Sequence, residues 1–197
     1  MTKYMFADCD PEDINLSSMS LNSSGNNATT TSNSNVPTTV TMTAQGAGFQ
    51  ALKDGHEASI TINDQTFTFL GTSRGLNMIV VDTAAANLKK AIKISVFDTH
   101  GSKAFSEKLA KAIDKLPKTA VVAIVLVDEA TESLTSCGRA AMKSIGAHVL
   151  PLCGWRDGYA LITPMHSPHL AVEAYKSAKD GGLTNRVSLT FEFRGAC

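Results

Sequence analysis

Beyond residue 46, apolar and polar positions alternate in two periods, and the switches between them divide the chain into short strands and helices. Residues 58–62 and 65–70 place Ile60, Ile62, Phe67 and Phe69 at alternate positions around Asn63-Asp64, which predicts a hairpin of two short strands. Residues 78–81 form a short continuous apolar strand. Residues 91–97 set Ile92, Ile94 and Val96 against Lys93 and Ser95, a strand with one wet face. A helix over 103–116, capped by Thr99 or Ser102, puts Phe105, Leu109, Ala112, Ile113 and Leu116 on one stripe before Pro117 stops it.

The run 120–127 is the most apolar of the chain and predicts its most buried strand. A second helix opens at Thr131 or Ser133 and runs through Ile145, with Leu134, Cys137, Ala141 and Ile145 inward and Gly146 closing it. Residues 149–152 and 159–163 supply further strand. Ser167-Pro168 reads as a cap followed by proline in the first turn of a third helix, 169–179, ended by Gly181-Gly182. The last element, 186–194, alternates Val187, Leu189, Phe191 and Phe193 with polar residues, as a half-buried strand at or near a sheet edge does.

The first quarter of the chain has a different texture. Residues 14–52 contain no Asp, Glu, Lys or Arg, and Ser, Thr and Asn dominate 17–45. Such a segment buries too little apolar surface to offset its own ordering entropy, so it reads either as a flexible linker or as an extended arm. Thr38-Thr39-Val40-Thr41-Met42-Thr43 has the alternation of an arm that adds to another sheet, on a neighbouring chain. The expected division is therefore an arm or linker over 1–50 and one α+β domain over 51–197, with residues 1–45 removable without loss of the fold.

Charge and cysteine usage narrow the function classes. Lys and Arg equal Asp and Glu at 18 each, interspersed along the folded part, so no footprint for nucleic acid or an anionic membrane is visible. The start carries no apolar run of a secretory signal, and export by that route is not expected. Cys9, Cys137, Cys153 and Cys197 are widely spaced, without a Cys-x-x-Cys pair or a nearby His, which favours free thiols over a disulfide framework.

Four blocks punctuate the pattern: Arg74-Gly75-Leu76-Asn77, Phe97-Asp98-Thr99-His100, Asp128-Glu129-Ala130-Thr131 and Gly154-Trp155-Arg156-Asp157-Gly158-Tyr159. Gly-Leu-Asn opens onto an apolar strand ending in Asp, and Phe-Asp-Thr precedes a helix. An apolar strand then runs into Asp-Glu-Ala, and an aromatic-Arg-Asp segment leads to a strand. In this order, from about His56 to Phe193, the chain resembles the GG domain, the module of interleukin-like secreted proteins related to pancreatic-derived factor. The resemblance implies a compact β-β-α sandwich of two mainly antiparallel sheets with about three short helices. The family also includes the stem module of an O-mannose N-acetylglucosaminyltransferase, a hyaluronan-related cell-surface protein and the hinge-connector region of phage long tail fibres. The unpaired cysteines and uncharged arm set this chain apart from the secreted members. They point to a structural or adaptor protein of a tailed-phage virion, assembled in the host cytoplasm in several copies with other virion proteins. A glycan-binding module is the alternative.

The candidate recognition loop is Trp155, Arg156 and Asp157, followed by Tyr159. An indole beside an Arg-carboxylate pair can stack on a sugar face and hydrogen-bond its hydroxyls. The flanking Gly154 and Gly158 equally suit a tight loop in which Arg156 and Asp157 bond backbone groups. Asp98 with His100, and Asp128 with Glu129, could serve as acid/base pairs, but both lie where a strand turns toward a helix and are read as caps. Ser73-Arg74-Gly75 lacks the glycines and Lys-Ser/Thr ending of a phosphate loop. His148, His166 and His169 are too scattered for a metal site. Cys137 is expected in the core and Cys153 nearer the surface, with no base beside either. No catalytic residue, cofactor or metal is expected.

Overall fold

The structure, a computed structural model, describes residues 38–195. Most of the uncharged tract, with Cys9 and Cys197, lies outside the described residues. Two antiparallel sheets stack face to face, and helices cover the outer face of the second. This is the β-β-α sandwich that the resemblance implied.

The first sheet is built from β1 (Thr38–Gln45), β3 (Ala58–Ile62), β4 (Gln65–Phe69) and β10 (Val187–Phe193), in the order β10-β1-β3-β4. The β3–β4 hairpin turns at Asn63-Asp64 as expected, with Asn63 at φ 50°. The second sheet has the order β6-β5-β7-β8-β9. Its strands are β5 (Gly75–Asp82), β6 (Ile92–Phe97), β7 (Ala120–Asp128), β8 (Gly158–Pro164) and β9 (Val172–Lys176). The two-residue strand β2 (Ala47–Gly48) pairs parallel with Val127 and Asp128 at the end of β7.

Strand alternation explains the two cores. On β7, Val121, Ala123, Val125 and Val127 face the first sheet, where they meet Met42, Ile60 and Phe69. Val122, Ile124 and Leu126 face the other way, toward the helices α3 (Lys103–Asp114) and α4 (Ser136–Ser144) through Leu109, Ile113 and Met142. A strand buried on both faces has to be apolar at every position, and residues 120–127 are. Ser102 caps α3 by accepting the Ala104 N–H. Two short helices, α1 (Phe49–Lys53) and α2 (Leu88–Ala91), had no counterpart in the periodicity.

The Thr-rich segment does add to a sheet, but it is this domain's own. β1 lies between β10 and β3, and Val40, Met42 and Ala44 are buried in the inter-sheet core. Removing residues 1–45 would therefore take out a central strand. Other departures trace to long-range pairing. The expected third helix is one helical turn, Pro168–Leu170, followed by β9. Val172 to Tyr175 pair in register with β8, and the Glu173 carboxylate accepts the His148 and Val149 N–H groups and the Tyr159 hydroxyl. That network overrides the local Ser-Pro helix signal. The expected strand 149–152 is a helical turn over Leu150–Leu152, because Pro151 has no N–H for a ladder.

Helix α4 starts later than expected, at Ser136. Thr131 is engaged by Glu129, the Ser133 N–H donates to the Thr99 carbonyl, and Thr135 is the cap. The inward face consequently carries Gly138, Ala141 and Met142, while Cys137 faces solvent. Cys153 is the buried one, and burial pushes its thiol up to about 12. The two thiols therefore exchange the positions expected for them.

Candidate functional site

All four sequence blocks converge at one end of the second sheet, where β7 stops, β5 and β8 begin and β6 leaves. β2 is wedged there so tightly that a Cβ on Gly48 would lie 2.1 Å from the Arg156 carbonyl oxygen. A Cβ on Gly158 would meet the Gly182 carbonyl oxygen just as closely. These two glycines are required by close approach of backbones.

The loop between them is fixed from below. Asp157 is buried, and its carboxylate accepts the Gly154 N–H (2.8 Å), the Ala178 N–H (2.7 Å) and the Tyr175 hydroxyl (2.9 Å). The hydrogen bond to Asp157 raises the Tyr175 hydroxyl above its ordinary range. Tyr159 is fully buried, its hydroxyl donating to Glu173 at 2.6 Å; burial first, and then that carboxylate, raise it well above its usual value. Asp157 and Tyr159 are thus the loop's anchors, and neither is presented to a ligand. No Arg156–Asp157 pair forms.

Trp155 and Arg156 are presented. Trp155 is 51% exposed. Arg156 adopts φ 64°, which turns its side chain back over the Phe49 ring, with Cζ 3.8 Å from that ring's centroid and 5.3 Å from the Trp155 ring. Among the described residues the Arg156 guanidinium has no ion-pair partner. The His100 ring also neighbours Trp155, 5.5 Å away at a tilt of 58°.

His100 is held in turn by Glu129, whose Oε2 is 2.7 Å from His100 Nδ1. Glu129 is only 2% exposed. Burial alone would raise its carboxyl, but hydrogen bonds from the Thr131 hydroxyl and N–H, from His100 and from the Glu132 N–H outweigh this and hold it below the usual carboxylate range. Nearby, Arg74 grips Asp98 through two N–H donors, Nε at 3.0 Å and Nη2 at 2.9 Å. That hydrogen-bonded pairing lowers Asp98, which also accepts the Gly101 N–H.

The arrangement is a row of planar groups, His100, Trp155, Arg156 and Phe49, on a backbone locked by buried carboxylates. Trp155 and Arg156 were legible from sequence. Phe49 was not, because it enters from outside the four blocks, and the His100–Glu129 contact joins residues 29 positions apart. Asp98 and Glu129 both accept nearby backbone N–H groups, as their positions at strand ends suggested. Among the described residues no group of His, Cys, Asp and Glu is arranged to hold a metal ion.

Residues 74–164, from the start of the Arg74 block to the end of β8, match the family model of the interleukin-like EMT inducer. The chain carries a domain of this family. The matched segment comprises β5 to β8 with α2, α3 and α4, together with three components of the row, His100, Trp155 and Arg156. Phe49 and the first sheet come from outside the matched segment. The chain is also 30% identical over 106 residues to the cell migration-inducing and hyaluronan-binding protein of Mus musculus, covering 53% of this chain and 8% of that protein. Its Homo sapiens counterpart is 30% identical over 101 residues, covering 51% and 7%. The match spans less than a tenth of the length of these relatives.

Proposed function

We propose that the domain is a non-enzymatic recognition module that binds a glycan through Trp155 and Arg156. The observation that carries this reading is a half-exposed tryptophan beside an arginine with no ion-pair partner among the described residues, both on a loop locked from beneath by Asp157. An indole face accepts the C–H face of a sugar ring, and the guanidinium donates in a fixed fork to ring hydroxyls or a carboxylate. Pre-organisation lowers the ordering cost of binding, which suits a ligand held by few contacts. Partial similarity to a protein described as hyaluronan-binding agrees with this class of ligand. A glycan array probed with wild type and Trp155→Ala tests the reading. Sugar-dependent signal lost in the variant supports it, and no signal above background at millimolar ligand rejects it.

A second reading is a structural adaptor of a tailed-phage virion. It is favoured by the uncharged tract leading straight into β1, a central strand, so that whatever the tract grips is coupled to the core. Deletion of residues 1–37, which leaves β1 intact, is expected to preserve the fold and abolish incorporation into particles. Normal incorporation of that variant would reject this reading.

A further inference from the structure

An open cleft of ≈580 Å³ lies directly beside the row of planar groups, lined in part by Phe49, Leu52, Lys53, His56, Leu70 and Asp128. We propose that this cleft continues the Trp155–Arg156 site, so that the domain recognises several consecutive sugars within a glycan chain rather than one terminal sugar. The inference rests on the glycan-binding reading and extends it to the form of the ligand.

One wall is shared and a second is adjacent in sequence. Phe49 carries Arg156 on its ring and also lines the cleft. Asp128 lines the cleft and is followed in sequence by Glu129, which holds His100 against Trp155. A ligand lying on Trp155 and reaching past Arg156 next meets Phe49, which is itself part of the cleft wall. The volume falls within the ordinary range for small-molecule sites, roughly 300–1,000 Å³.

Cleft chemistry matches that of a sugar chain. Phe49, Leu52 and Leu70 supply the apolar part of the lining, and Leu70 is 53% exposed, a large apolar side chain left to solvent. Lys53, His56 and Asp128 supply polar groups of both signs around it. Sugar rings present alternating C–H and hydroxyl surfaces and use both.

The test is calorimetric titration of the full chain with two size-graded series, hyaluronan oligosaccharides and N-acetylglucosamine oligomers, each from disaccharide to octasaccharide. Affinity is expected to rise with length by roughly tenfold or more in at least one series. Leu70→Asp, or Lys53→Glu should the first variant fold poorly, is expected to remove that gain while leaving disaccharide affinity unchanged. Equal affinity at every length would overturn the extended site and leave the recognition reading standing. A gain with length that survives both folded variants would also overturn it. Failure of every oligomer to bind would overturn the recognition reading itself, and the extension with it.

Discussion

The two sheets of this domain are covered differently. The first packs one face against the core and turns the other to solvent, where Thr41 and Thr190, and Thr61 and Thr66, pair hydroxyl to hydroxyl across strands. The second is buried on both faces along β7, and all four sequence blocks gather at one of its ends. The family match, residues 74–164, takes in the central strands of the second sheet and none of the first. A strand with no free face cannot carry a binding site along its length. The chemistry is displaced to the strand ends, where loops are free to vary and the double-sided core holds them rigid. The first sheet acts as a cover, and its connection to α1 adds Phe49 to the site.

The sharpest contrast is in stability. Ile124→Ala on β7 is expected to cost about 2–5 kcal/mol, since the side chain is fully buried beneath the helices and its neighbours cannot collapse freely. Equilibrium urea unfolding measures it, and a cost below about 1 kcal/mol would show the second sheet to be no more demanding than the first.

Gly48→Ala probes where the two regions join. The added methyl collides with the Arg156 carbonyl and has to displace the loop, at roughly 1–3 kcal/mol. Glycan affinity should fall with it, whereas a variant of native stability and affinity would break the proposed link between β2 and the loop.

Glu129→Gln is expected to cost about 1–3 kcal/mol at neutral pH, because a buried charged acceptor of several hydrogen bonds is replaced by an amide. The folded protein holds this carboxyl below its usual range, so the group's contribution is present above that range and is lost as pH falls through the folded value. Wild type and variant should therefore converge in acid. A gap that stays constant from neutral to acid pH would assign the effect to packing alone.

Thr61→Ala on the outer face of the first sheet should change stability by no more than about 0.5 kcal/mol. It breaks one exposed hydroxyl pair and leaves the backbone ladder intact. A loss comparable to that of Ile124→Ala would erase the distinction between the sheets.

Much of this architecture was legible because local signals and global packing agree. The β3–β4 hairpin, α3 and β7 each carry a turn pair, a cap or an unbroken apolar run that the fold uses as written. The failures share a cause. Residues 169–179 carry a good helix start, yet Glu173 is committed to N–H groups at 148 and 149 and to the Tyr159 hydroxyl, partners that no local window contains. Cys137 faces outward because α4 begins only after Thr131 and Ser133 have been engaged elsewhere, and Cys153 packs into the core between the second sheet and its helices. At the site, the type and spacing of Trp155 and Arg156 stood out, while Asp157 and Tyr159 looked like further contact residues and are its buried supports. Phe49 and His100 join the row only through the fold.

Trp155 is the sole tryptophan of the chain, so its fluorescence reports on the site without labelling. Titrating the full chain with hyaluronan and N-acetylglucosamine oligosaccharides while following that emission tests the recognition reading most directly. A saturable change in intensity or wavelength, weakened by Arg156→Ala in a variant of native stability, is the predicted result. Unchanged emission up to millimolar concentrations of both series would contradict it.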